Sequence, residues 1–273
     1  MTRTEEHNRP IGIFDSGLGG LSVAKEIFRQ LPNEEIIYFG DTARFPYGTR
    51  SPERVTAMAL QDAEFLLSKG VKMLLVACNT ASSVAMGVLT KSVTVPIIGV
   101  VEPGAKAAVK ATSNGRVGII GTRATIASQS YQMAIRRIAP EVETFAEPCP
   151  LFVSLAEEGW TEGDVPRLVA EEYLREIRNA GVDTLILGCT HYPILRMVIA
   201  ETMGESVTLV DSAESTVAAV RDYLERKNLL RDSIPANHTF LVSDAPDRFR
   251  EIGGMFLERK IVSLQKVILE DGG

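Results

Sequence analysis

The chain has 273 residues, of which 45% are hydrophobic and 23% charged, and its formal net charge is −6. That mixture suits a globular chain with a core large enough to fold without disulfides or a structural metal. Acidic and basic residues are interspersed and no basic block occurs, which argues against nucleic acid as the main partner.

No stretch approaches the ~20 apolar residues that span a bilayer, so no membrane partner is expected. The opening MTRTEEHNRP is polar and lacks an apolar h-region, which predicts no secretory signal and a cytoplasmic protein. In that setting the three cysteines, Cys78, Cys149 and Cys189, read as free thiols.

Short apolar runs at 11–14, 36–39, 73–77, 97–101, 117–120, 184–187 and 207–210 predict buried strands of a parallel sheet covered on both faces. Helical periodicity predicts helices over 51–69, with Ser51 as N-cap and Pro52 in the first turn, and over 167–180. The alternation predicts an α/β fold.

The polar segments after these strands hold the candidate chemistry. Asp15-Ser16-Gly17-Leu18-Gly19-Gly20 is Gly-rich, but Ser22 stands where G-x-G-x-x-G needs its third glycine, and no G-K-[ST] follows. Neither a dinucleotide site nor a P-loop is supported. The segment reads as a tight strand-to-helix turn and, compatibly, as an anion loop in which backbone N–H groups and Ser16 bind a carboxylate, with Asp15 near the chemistry. The polar loop from Asp41 to Gly48 reads by default as a connector. Cys78 ends a strand and precedes Asn79-Thr80 at an expected helix start, a setting that favours a thiolate. Cys149, between Pro148 and Pro150, reads as packing, and Glu157-Glu158 as an ordinary solvated pair. Cys189 also ends a strand, with His191 placed to act as a general acid or base or to hold a thiolate by charge.

An internal repeat links the two cysteines. The segment from Gly70 to Cys78 aligns without gaps with that from Gly181 to Cys189, and the segment from Ile11 to Ser16 aligns with that from Val117 to Thr122. Duplication predicts two similar domains with mainly parallel sheets, related by a pseudo-two-fold. Since ligands bind at the carboxyl ends of such strands, Cys78 and Cys189 would face each other across the cleft between the domains. A quasi-symmetric site suits a reaction whose substrate and product are mirror images. Three classes remain open on these residues: a racemase or isomerase of a small acid, a zinc hydrolase with a Cys78, Cys189 and His191 site, and a non-catalytic binder of small acids.

The sequence closely resembles bacterial glutamate racemases from about residue 11 to residue 230, in the ordered motifs IGIFDSGLGG, GDTARFPYG, ACNTAS, PCPLFVSLAEEG and GCTHYP. The resemblance implies racemisation of glutamate without pyridoxal phosphate, metal or any other cofactor, supplying D-glutamate for peptidoglycan. It implies Cys78 and Cys189 as acid/base thiols, with Cys78 taking the Cα proton from D-glutamate and Cys189 from L-glutamate. Asp15, His191, Glu157 and Asp41 are implied as further catalytic residues, with Glu157 and His191 on the Cys189 side. Asp15, Ser16, Tyr47, Gly48, Asn79, Thr80, Thr190 and His191 are implied around the substrate, and Thr122, at the matching strand end, joins them. Ser154 departs from the proline of many relatives, a change expected to alter the local loop and leave catalysis undisturbed. The first domain is expected to be discontinuous, 1–98 plus 208–273, with 99–207 as the second. The expected partner is a small-molecule substrate, and the resemblance is compatible with a homodimer.

Overall fold

The computed structural model describes residues 7–233 and 237–269. Residues 1–6, on which the expectation of no secretory signal largely rests, lie outside the described residues, as do 234–236 and 270–273 of the expected first domain. The strands are β1 (Ile11–Asp15), β2 (Ile36–Gly40), β3 (Met73–Val76), β4 (Ile97–Gly99) and β5 (Arg116–Gly121), followed by β6 (Glu143–Pro148), β7 (Thr184–Gly188), β8 (Thr208–Asp211), β9 (Thr239–Val242) and β10 (Leu264–Lys266). They form two sheets, of order β10-β9-β2-β1-β3-β4 and β6-β5-β7-β8, and every pairing is parallel. Helices connect the strands, so the architecture is α/β as expected.

The apolar runs become strands because both faces of each sheet are covered. Ile11 and Ile13 of β1 pack with Leu21, Ile27 and Val217 on one face, while Phe14 packs with Val55, Met58 and Leu66 on the other. Each such side chain contributes roughly 1.5–3 kcal/mol by leaving water. Ser51 caps the helix Pro52–Ser68 by accepting from the Arg54 N–H at 3.3 Å, with Pro52 in the first turn. The run at 97–101 stops being strand at Gly99 because Val101 already begins the helix Val101–Ala111.

The repeat is visible in the ladders. The order β2-β1-β3-β4 in the first sheet recurs as β6-β5-β7-β8 in the second. Ile11, Gly12, Ile13 and Phe14 pair with Met73, Leu74, Leu75 and Val76. Their aligned counterparts Val117, Gly118, Ile119 and Ile120 pair with Thr184, Leu185, Ile186 and Leu187 in the same register. The shared glycine has a packing reason. A Cβ on Gly12 would lie 3.0 Å from Leu74 and Val71, and one on Gly118 would lie 2.8 Å from Leu185 and 3.4 Å from Val182, the aligned residues.

Thr208–Asp211 is the edge strand of the second sheet, paired with β7. The chain returns to the first core just after it. The Asp211 carboxylate caps the next helix, Ser212–Lys227, by accepting from the Ala213 N–H at 2.8 Å, and that helix buries Ala213, Val217, Val220 and Leu224 against β1's face. Residues 208–211, expected in the first domain, are strand of the second sheet. No helix among the described residues is long and apolar enough to cross a membrane.

Gly118→Val should lower the midpoint of denaturant unfolding by the equivalent of about 1–3 kcal/mol through overpacking against Ile177 and Leu185. An unchanged midpoint would show that the interlocking of β5 and β7 does not constrain this position.

Candidate active site

The carboxyl ends of β1, β3, β5 and β7 meet at the seam between the sheets and line a cavity of about 260 Å³. Ser16, Cys78, Asn79 and Thr80 come from the first sheet's strand ends, and Thr122, Cys189, Thr190 and His191 from the second's. Tyr47 and Gly48, from the loop after β2, also line it. Buried hydrogen bonds cross the seam. The Thr80 hydroxyl lies 2.9 Å from that of Thr122, Asn79 Nδ2 donates to the Tyr131 hydroxyl at 2.7 Å, and the Thr190 hydroxyl donates to Asp15 Oδ2 at 3.3 Å. In a low-dielectric interior such bonds must be satisfied together, which fixes the relation of the two halves.

Cys78 is buried and sits at the N-cap of the helix Asn79–Val84, where its sulfur accepts from the Ala81 N–H at 3.5 Å and its thiol donates to Ser16 Oγ at 3.6 Å. Burial pushes this thiol up to about 12, helped by the negative charge of Asp15 and opposed by the contacts with Ala81 and Ser16. The proton therefore stays on Cys78 in the unliganded protein, a departure from the thiolate that strand-end placement alone suggested. Asp15 is fully buried and its carboxyl is raised by that burial, against His191, the N–H groups of Gly17 and Gly20, and Thr190.

Cys189 is also buried, and its sulfur lies 3.8 Å from His191 Nδ1. His191 Nε2 lies 3.2 Å from Glu157 Oε1. Burial disfavours charge on the imidazole, but Cys189 and Glu157 on its two nitrogens outweigh it and raise His191 to about 10. Glu157 reaches the histidine from the last turn of the short helix Leu151–Glu157. It is thus a partner of a buried imidazolium, not half of a solvated pair. The two thiols have different neighbours, and each lies within electrostatic reach of the other.

Of the residues singled out in the sequence, Cys78, Cys189, His191, Glu157, Ser16, Tyr47, Gly48, Asn79, Thr80, Thr122 and Thr190 all line the cavity, whereas Asp15 and Asp41 do not. Asp15 lies just behind it, bonded to Thr190. Asp41 faces Arg44, Tyr47 and Ser243 instead. In the Gly-rich turn the Gly17 N–H is given to Asp15 Oδ1 at 2.9 Å, while Ser16 lines the cavity. A Cβ on Gly19 would come within 2.7 Å of the Thr190 and His191 side chains, so glycine there lets the turn approach the opposite strand end. Cys149, the residue after β6, is buried and lies outside the cavity. Cys78, Cys189 and His191 do not form a metal-holding group, and no cluster of three or more His, Cys, Asp or Glu suited to one occurs among the described residues. Arg123, an exposed cation on the cavity wall, went unnoticed in the sequence although it directly follows the strand-end Thr122. Tyr131 and Ser212, which complete the Asn79 network, gave no signal beyond their residue types.

Comparison with known proteins agrees with this geometry. A sequence model described as Asp/Glu/Hydantoin racemase matches residues 11–220. A glutamate racemase of Geobacter metallireducens is 54% identical over 263 residues, 96% of this chain and 97% of its own. The structure of a glutamate racemase isoform from Bacillus anthracis superposes with a TM-score of 0.93 at 38% identity, covering 96% of this chain and 98% of that one. The glutamate racemase of Francisella tularensis, solved in complex with D-glutamate, gives 0.92 at 40% identity, covering 97% and 99%.

His191 has a folded-state value above its unfolded one of 6.5, so its charge stabilises the fold fully below that pH, and the contribution fades as pH rises through about 10. Its ring resonances should remain those of an imidazolium at pH 8. Glu157→Gln should move the transition to lower pH. A wild-type transition near 6.5 would contradict the arrangement.

Proposed function

The chain belongs to the Asp/Glu/Hydantoin racemase family, and we propose that it interconverts L- and D-glutamate by moving the Cα proton between Cys78 and Cys189. The observation that carries this reading is the pair of buried strand-end thiols on one cavity, contributed by the two repeats. Racemisation at Cα needs a base on one face and an acid on the other. The resting state supplies the acid, because Cys78 holds its proton. The His191 imidazolium beside Cys189 complements a thiolate there.

In the L-to-D direction the Cys189 thiolate accepts the Cα proton, and the Cys78 thiol delivers its own to the opposite face. Cys189 ends as thiol and Cys78 as thiolate. In the reverse direction the roles exchange, and the Ala81 N–H and Ser16 hydroxyl then support the Cys78 thiolate. His191, held by Glu157, and Asp15, behind Thr190, tune these proton positions. The hydroxyls of Ser16, Thr80 and Thr122 and the Asn79 amide supply polar groups for the carboxylates of the substrate and for charge developing at Cα. The site lies between two units, one built from the first sheet and its returning C-terminal part and the other from the second sheet. The product would serve peptidoglycan synthesis.

Cys78→Ser and Cys189→Ser should each lower racemisation by about 10²–10⁴-fold, because a serine hydroxyl is a poor proton donor and base at neutral pH. Cys149→Ser should stay near wild type. Chiral chromatography of glutamate incubated with each variant reads the result. Near-normal turnover by either cavity variant, or binding of glutamate by the wild type with no change of enantiomer, would refute the reading.

A further inference from the structure

Beneath the cavity lies a buried acid cluster that the proton-transfer steps do not use. Asp41 and Asp62 are both fully buried, Asp41 at the end of β2 and Asp62 inside the helix Pro52–Ser68. Arg44 joins them, donating from Nε to Asp41 Oδ2 at 2.6 Å and from Nη2 to Asp62 Oδ1 at 2.7 Å, with its other nitrogen on Gln61 Oε1. The Tyr47 hydroxyl contacts Asp41 Oδ2 and also lies 2.8 Å from Asp62 Oδ2. Asp41's second oxygen accepts from Ser243 Oγ at 3.0 Å, at the end of β9.

Proton counting fixes the state of this cluster. A phenol carries one hydroxyl proton and can donate it to one carboxylate only. Arg44 donates to both carboxylates, but Asp41 also accepts from Ser243, so Asp41 is the better supported as an anion and takes the Tyr47 proton. The oxygen of Asp62 that faces Tyr47 then meets a lone pair, and the contact at 2.8 Å requires a second proton. The guanidinium neutralises one carboxylate, and two ionised ones would leave a net negative charge away from water. Burial raises Asp62 well above the ordinary carboxylate range; the charge of Asp41 adds to that, Arg44 and Tyr47 oppose it, and Asp15 adds a smaller push.

The cluster holds a loop that forms one wall of the cavity. Tyr47 and Gly48 line it, and a Cβ on Gly48 would meet Thr122 Cβ at 2.6 Å, so the loop lies tightly against the opposite half. Phe45 of the same loop packs its ring 5.7 Å from the His191 ring. We propose that Asp62 is a positioning residue for substrate binding: it carries a proton, donates it to the Tyr47 oxygen, and through Tyr47 and Arg44 holds the loop 41–48 across the cavity. The proposal rests on the racemase reading for the identity of the ligand, but not for the proton or the loop.

Asparagine mimics a protonated aspartate here, accepting from Arg44 through its oxygen and donating to Tyr47 through its amide. Asp62→Asn should therefore keep the KM for glutamate within about twofold, while Asp62→Ala, which leaves Tyr47 and Arg44 short of a buried partner, should raise it about tenfold, with a smaller change in kcat. Amide hydrogen exchange of the loop 41–48 should quicken in Asp62→Ala and not in Asp62→Asn. The infrared spectrum of the wild type at neutral pH should contain a protonated carboxylic acid band that Asp62→Asn lacks. An unchanged band, or wild-type KM and loop protection in Asp62→Ala, would overturn the proposal. So would a loss in Asp62→Asn equal to that in Asp62→Ala. The infrared and exchange readings need no turnover, so failure of the racemase reading would leave them to decide Asp62 alone.

Discussion

Burial makes the Cys78 thiol hard to ionise, and the rest of the site answers that constraint. Cys78 and Cys189 are only 5% and 6% exposed. A thiolate so placed has lost its water and depends on neighbouring donors and charges. The neighbours differ on the two sides. Cys78 has a hydroxyl, a backbone N–H and an aspartate behind it, whereas Cys189 has an imidazolium tied to a glutamate. The repeated architecture brings both thiols to one cavity, and in the proposed reaction their unlike neighbours set where the proton rests. Such asymmetry can change the two directional rates but not the equilibrium, because enantiomers have equal free energy in achiral water.

The seam that brings the thiols together is polar. Its hydroxyl and amide bonds, Thr80 to Thr122 and Asn79 to Tyr131, cost desolvation and give back only about 0.5–1.5 kcal/mol each. Their value lies in direction: an apolar seam could slide, while a satisfied polar one has few alternatives. Close glycine packing at Gly19 and Gly48 adds a steric limit of the same kind.

Much of this was legible in the sequence because the central strands are apolar on both faces and end abruptly in polar residues. The repeat was legible because β1, β3, β5 and β7 must interlock in one register, which places glycine and cysteine at matching steps. Three strands, β6, β9 and β10, were not read, although β4 and β8 at the sheet edges were. Glu143–Pro148 is partly exposed along its length and carries charge, so it lacks an apolar run, and Leu264–Lys266 is too short to show a period. Glu157 looked solvated because its partner lies far along the chain. Asp62 had a signal that went unread: Val55, Met58, Ala59, Asp62, Ala63 and Leu66 form one buried stripe of a helix, and a carboxylate in that stripe must find a proton or a cation. Asp41's place beneath the cavity had no such signal, since it depends on how the loop folds over Arg44 and Tyr47.

The central claim is that two different thiols handle the Cα proton, and isotope wash-in tests it most directly. With either pure enantiomer in D₂O, the thiol that donates will already carry deuterium, having exchanged with solvent, and it is not the group that took the substrate's proton. Product formed early should then be almost wholly deuterated at Cα, while unreacted substrate of the starting configuration gains little label. Substantial substrate-derived hydrogen in early product would mean that one group removes and returns the same proton, and would contradict the account.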